Sequence, residues 1–319
     1  MSADEEALAV AFQAARPRLV RVAYAILGSR GDAEDVVADC WLRLVAHHRE
    51  EPIRDPEAWA VVTVSRMAVD VLRSARVRRE RYVGPWLPEP VLTTVAPDQG
   101  DPADRVTLDD EVSYALLVVL ETLTPAERTA FVLHDLFGLP FPEVADIVGR
   151  TPASVRQLAS RARRHVHDRA GRPVVDPAEH RRVVEAFAAA AGSGDLGTLI
   201  AVLDPEVVLV SDGGGFVTAA RRPIHGADKV ARFVLGVLAK GQLGSEIELV
   251  RVNGAPGFAV HEAGRLVAVV ALTVAGGRVA RLDLVVAPDK LPREPHEPHE
   301  PHEPHESREP HEPRDPRDV

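Results

Sequence analysis

Six arginines against two acids lie between Arg66 and Arg81, and seven against one between Arg150 and Arg172. Guanidinium groups at this density neutralise phosphates and pair with base edges, the chemistry of nucleic-acid binding. The formal net charge of -10 argues against such binding when taken alone. Its distribution reverses the argument, because the acid gathers at the N-terminus, around Asp98 to Glu111 and in the tail. Two basic clusters on an acidic chain read as two separate DNA contacts. A different chemistry is conceivable further on, where Asp212, His225, His261, Glu262 and Asp283 could line a pocket and supply a general base. Nothing in their spacing makes them converge, so catalysis is the weaker reading and no cofactor is expected. His296, His299, His302, His305 and His311, each beside Glu and Pro, could hold zinc or nickel weakly, but a solvated acidic repeat is the simpler account.

The second arginine cluster belongs to the best-specified element. In LTPAERTAFVLHDLFGLPFPEVADIVGRTPASVRQLASRARRHV, Thr124 is placed to cap a helix, with Pro125 in its first turn and Glu127 as capping-box partner. Gly138 ends that helix. A shorter one from about Pro142 to Val148 stops at Gly149, and Thr151 with Pro152 opens the next. Ala145, Gly149 and Val155 suit a tight turn between two helices. On the last helix Val155, Leu158 or Ala159, Ala162 and Val166 form the buried stripe. The opposite face carries Ser154, Arg156, Gln157, Arg161 and Arg164. This is a helix-turn-helix, and it points to DNA more than to an ordinary helical pair with a solvated basic face.

The first cluster ends an amphipathic helix, DPEAWAVVTVSRMAVDVLRSARVRRER. The helix before it is expected to be capped by Asp32 and to carry acid at Glu34, Asp35 and Asp39. Cys40 sits on its apolar face beside Trp41 and reads as packing.

Residues 5–82 read as all-helical, 83–104 as an extended Pro-rich linker, and 105–171 as a second helical unit. Residues 176–291 read as an α+β unit with one helix, about Pro177 to Ala191, and a curved antiparallel sheet; 292–319 read as a disordered Pro-His-Glu tail. One cysteine permits no internal disulfide, no apolar run approaches a membrane span and the N-terminus is acidic, so a cytoplasmic protein is expected, and the DNA-binding reading makes it a regulator and not an enzyme.

GDAEDVVADCWLRLVAH followed by RDPEAWAVVTVSRMAVDVLRSARVRRE closely resembles region two of the extracytoplasmic-function sigma factors, and Leu120 to Val166 resembles their region four. Trp86-Leu87-Pro88-Glu89-Pro90 resembles the linker signature of the subgroup that carries a fused SnoaL-like, NTF2-like cone-shaped domain. Asp212-Gly213-Gly214-Gly215 and Pro288-Asp289-Lys290-Leu291 resemble two more of its signatures. Two positions depart from that pattern: Phe216 stands where Lys is usual, and Ala287 where Asn is usual. The resemblance implies a multidomain fold, two all-α units followed by the α+β cone. It implies that Asp32, Asp35, Val36, Asp39, Trp41 and Leu42 dock on the β′ clamp of core RNA polymerase, with region four at its β flap. A loop from His47 to Glu57 would take a flipped base of the −10 element, beside Arg66, Asp70, Arg73, Arg76 and Arg78. Arg150, Thr151, Ser154, Gln157, Arg161 and Arg164 would hold the −35 element in the major groove. The fused unit would replace a separate anti-sigma partner by packing on region two and the linker, through Trp86 to Pro90, Asp212 to Gly215, Asp289 and Lys290. A DNA-binding regulator that works without polymerase, with a ligand-sensing or catalytic third unit, is the alternative.

Overall fold

The computed structural model describes residues 3–79, 82, 84–94, 112–170, 175–217, 219–241 and 245–292. The Pro-His-Glu tail and most of the acidic half of the linker lie outside these residues.

Three long helices open the chain: α1 (Ala3–Leu27), α2 (Arg30–Glu50) and α3 (Pro56–Arg79). Gly28, with φ 71°, makes the turn into α2. The cap of α2 is Ser29, whose hydroxyl accepts from the Asp32 amide at 3.1 Å. Asp32 therefore lies in the first turn, where its charge meets the helix dipole, and is not itself the expected cap. Cys40 is fully buried between α2 and α3, with its thiol directed at the Ala60 carbonyl.

The second group comprises α4 (Tyr114–Leu120), α5 (Pro125–Phe131), a π-helical turn (Val132–Leu136), α6 (Phe141–Val148) and α7 (Pro152–Ala170). The Thr124–Glu127 capping box is present in both directions. Gly149 stops α6 at φ 71°, and the Thr151 hydroxyl accepts from the Ser154 amide to start α7. Both helical groups share one apolar core, because α3 packs on α5 and α6.

The last group has three helices, α8 (Pro177–Ser193), α9 (Leu196–Val202) and α10 (Ala227–Gly241), where one was expected. They cover a seven-stranded sheet in the order β1-β4-β5-β6-β7-β2-β3. Its strands are β1 (Leu92–Thr94), β2 (Leu203–Asp212), β3 (Ile224–His225), β4 (Ser245–Val252), β5 (Ala255–Glu262), β6 (Arg265–Ala275) and β7 (Arg278–Val285). The β4–β7 meander turns on two-residue loops whose central residues all have positive φ: Asn253-Gly254, Ala263-Gly264 and Gly276-Gly277. That geometry matches the twist of the strands it joins. The sheet is not wholly antiparallel as expected: β2 runs parallel to β7, with α10 and the meander forming the crossover.

Strand alternation gives the sheet two apolar faces. Leu209, Phe258, Leu272 and Leu282 turn toward α8–α10. Val210, Val250, Ala259, Val269 and Val285 turn the other way, onto Leu87 of the linker and Tyr114 of α4. The first strand, β1, comes from the linker and adds to the edge of β4, with Leu92 opposite Val252. The segment between the helical groups is thus built into the third group's sheet.

Candidate functional site

The residues that grip the linker converge from all three groups. Asp212, at the end of β2, is fully buried and is the hub. Its Oδ2 accepts from the Leu87 amide at 2.8 Å and from Lys290 Nζ at 2.7 Å. Its Oδ1 accepts from the Tyr82 hydroxyl and, at 3.0 Å, from the Gly214 amide. Burial first, and then the hydrogen bond to Asp212, push the Tyr82 hydroxyl far above its ordinary pKa, so it remains a donor. Lys290 also donates to the Leu87 carbonyl at 2.8 Å and lies 3.0 Å above the centroid of the Trp86 ring. The buried ion pair thus holds both backbone polar groups of one linker residue, Leu87, whose side chain, 1% exposed, fills the apolar face beside it.

Downstream, the Glu89 carboxylate accepts from the Arg30 amide at 2.6 Å and the Gly31 amide at 3.3 Å. It sits where the α2 macrodipole favours an anion. The Glu89 amide donates to the Gly28 carbonyl, and Tyr24 donates to the Glu89 carbonyl at 2.6 Å. The Tyr114 hydroxyl donates to the Pro88 carbonyl at 2.9 Å. Buried Asn253, with φ 47°, pairs with Val91 through both its side-chain oxygen and its backbone amide, and donates to Tyr24 at 3.0 Å. Nothing in the sequence singles out Asn253, Tyr24, Tyr82 or Tyr114 for this role. Asn253-Gly254 signals a turn, but nothing local shows what the turn grips.

The glycines after Asp212 are there for space. A Cβ on Gly213 would meet the Val217 carbonyl at 2.5 Å, and one on Gly214, whose φ is 66°, would meet Ala287 and Asp289. Gly215 completes the turn at φ 78°. Of the two departures, Ala287 is buried against Gly214, while Phe216 is 79% exposed. Asp289 is exposed and takes no part in the ion pair.

Two polar faces lie outside this seat. Arg150 and Thr151 just before α7, and Gln157, Arg161 and Arg164 on it, are exposed and Ser154 is half-buried, opposite the buried stripe of Val155, Leu158, Ala159 and Ala162. On α3, Arg66, Asp70 and Arg73 are exposed along one line, with Arg73 3.5 Å from Asp70. Arg76 and Arg78 belong to α3, but their side chains lie outside the described residues. The loop before α3 is only residues 51–55, shorter than the expected span, because His47 lies in the last turn of α2 and Glu57 in the first of α3. His47 stacks on Trp59 with centroids 5.5 Å apart. On α2, Asp35, Asp39 and Leu42 form one exposed row, with Leu42 66% exposed, and Asp32 is half-buried. Val36 lies on the same helix at 4% exposure and contributes to the core. Trp41 is half-buried and packs its ring 5.1 Å from Phe12.

The five polar groups of the third unit do not gather in one place, although Asp212 and Asp283, on neighbouring strands, both act on the Tyr114 hydroxyl. Asp212 serves the linker, and Asp283 is buried beside Arg281 on the strand position between Leu282 and Leu284. Burial raises the Asp283 pKa against the opposing pull of Arg281. His225 and Glu262 are exposed at separate strand ends, and half-buried His261 precedes Glu262 on β5.

Residues 11–78 match the family described as "Sigma-70 region 2", and residues 113–166 match "Sigma-70, region 4". The chain is 42% identical to the ECF RNA polymerase sigma factor SigJ of Mycobacterium tuberculosis, over 88% of this chain and 91% of that protein. It is 36% identical to the probable ECF RNA polymerase sigma factor SigI of the same species, over 90% of this chain and 96% of that protein. The crystal structure of SigJ superposes with a TM-score of 0.70 at 38% identity, covering 88% of this chain and 96% of that one. The likeness therefore runs through the two helical units, the linker seat and the α+β cone, and the chain belongs to the extracytoplasmic-function sigma factors.

Proposed function

We propose that this chain binds core RNA polymerase in the cytoplasm, directs it to promoters with −35 and −10 elements, and is restrained by its own third unit. The observation that carries the reading is the exposed donor face of α7, set by the Gly149 turn and backed by a fully apolar stripe. Such a helix enters the major groove with Thr151, Ser154, Gln157 and Arg161 toward bases and Arg150 and Arg164 toward phosphates. The Arg66, Asp70, Arg73 line on α3, continued by Arg76 and Arg78, would meet the −10 element. The Asp35, Asp39, Leu42 row is the surface offered to the β′ clamp, and the second helical unit is offered to the β flap.

Restraint follows from the linker seat. With α3 packed on α5 and α6 and the linker fixed at Leu87, Glu89 and Val91, the two DNA faces cannot separate. The dispersal of Asp212, His225, His261, Glu262 and Asp283 supports a non-catalytic third unit.

The test is transcription in vitro with bacterial core polymerase and a promoter library, using the full chain and the Lys290→Met and Asn253→Ala variants. Initiation from a defined −35 and −10 pair, stronger with the variants than with the wild type, is the expected result. A chain that shifts DNA but binds no core polymerase would overturn the reading in favour of an autonomous regulator.

A further inference from the structure

The third unit encloses a cavity of about 2060 Å³ between the sheet and α8–α10, walled by Phe187, Leu209, Phe233, Leu249, Phe258 and Leu282. That is roughly twice the upper range of ordinary ligand pockets, about 1,000 Å³. Among the described residues its charged lining groups, Lys240, Glu262 and Arg265, stand at one end, where α10 and β5 finish and β6 begins. Glu262, which accepts from the Ser245 hydroxyl at 3.3 Å, sets one carboxylate against two cations, and the rim is cationic by one charge. Val217, Val237 and Ile247 also line the cavity, yet are 44%, 47% and 52% exposed. Apolar side chains left open around an apolar hollow mark a surface that something covers.

The same end carries the linker grip. Val217, Ala219 and Ala220, which follow the Gly213 turn, form cavity wall, and so do Val286, Pro288, Leu291 and Pro292. Between them Asp212 and Lys290 face the other way and hold Leu87. The two segments are tied together by the Val286 amide donating to the Asp212 carbonyl at 2.8 Å and by the contact of Gly214 with Ala287. One pair of segments is therefore both the mouth of the cavity and the jaws of the grip.

We propose that the cavity binds an amphiphile with a long apolar body and an anionic head, and that its occupancy tightens the hold on the linker. The body lies along the aromatic and aliphatic wall, and the head meets Lys240 and Arg265. Contacts with Val217, Pro288 and Leu291 exist only while those segments keep their present place. A ligand that uses them favours the gripped state, and the gripped state favours the ligand by the same factor. The direction of control rests on the reading of the seat as a restraint, but binding itself does not.

The test uses the full chain with palmitate as probe, kept below its aggregation concentration, and displacement of 1-anilinonaphthalene-8-sulfonate as the signal. Palmitate should bind saturably at one equivalent. Ile247→Asp and Val237→Asp, both at exposed positions that tolerate charge, should weaken it about tenfold or more by placing a carboxylate against the chain. Hexadecanol should bind less well than palmitate, and the Lys240→Glu, Arg265→Glu double variant should remove the difference. Amide exchange across residues 84–94 should slow about tenfold on saturation, because the Leu87, Glu89 and Val91 amides are held in the seat. No displacement, or equal binding by both aspartate variants, overturns the site. Equal binding of hexadecanol overturns the anionic head. Unchanged or faster exchange at saturation overturns the coupling. A chain that is dimeric in light scattering, becomes monomeric with Ile247→Asp and takes up no palmitate in either form shows a second copy on the mouth and also overturns the proposal. None of these measurements involves polymerase, so their failure is distinct from a failure of the sigma-factor reading.

Discussion

The Asp212–Lys290 pair is buried on both sides, at 0% and 4% exposure, and a buried charge is tolerated only while it is paired. Lys290→Met leaves the carboxylate with neutral donors alone. It should cost about 3 kcal/mol in urea denaturation, within the range for breaking one side of a buried pair, and an added Asp212→Asn should recover part of the loss. Asp283 runs against the usual carboxylate linkage. Its folded pKa is raised above the unfolded value, so ionisation is penalised in the fold, and its contribution worsens as pH climbs from the unfolded pKa through the folded one. Asp283→Asn, which can still accept from Arg281, should therefore gain stability relative to wild type across the window that opens as pH rises above the unfolded carboxylate pKa, about 3.9. An unchanged difference across that window would contradict the desolvation account. Cys40 is buried, with its thiol pushed up to about 11, so it should resist Ellman's reagent at pH 8 until the chain is unfolded.

At the scale of elements, the helix-turn-helix was readable because its determinants are local. Thr124, Glu127, Gly149 and Thr151 act within four residues of themselves, and the structure places each in the expected role. Gly149→Ala should cost about 1 kcal/mol, because φ is 71° there, and should weaken promoter binding with no loss of polymerase binding. The α2 terminus shows where local reading fails. Asp32 has the right residue type for a cap, yet Ser29 takes the position, and the donors at Arg30 and Gly31 are met by Glu89, 59 and 58 residues away. Glu89→Gln should lower stability by about 1 kcal/mol, the worth of a helix cap, and loosen the linker in amide exchange. The third unit was legible in its strands, since alternation and the Gly276-Gly277 turn are sequence features. The helices α9 and α10 were not anticipated. The division of polar groups between sheet faces was equally hidden, because register decides it and register is settled by distant partners.

For the whole molecule, distance is the governing quantity. The −35 and −10 elements are separated by on the order of 80 Å of duplex at 3.4 Å per base pair. Two DNA-reading units that share one apolar core cannot cover that span. Opening must part α3 from α5 and α6 and uncover part of that core, so cross-linking α3 to α6 should abolish promoter-directed initiation while leaving the isolated chain folded. The loan of β1 to the sheet has a consequence for crowded solutions. Once the linker leaves, the outer edge of β4 is left with unsatisfied amides and carbonyls, and residues 92–94 of a neighbouring molecule carry the matching strand. Activated chains should therefore exchange this strand with one another as concentration rises, and such reciprocal pairing would remove them from the pool available to polymerase.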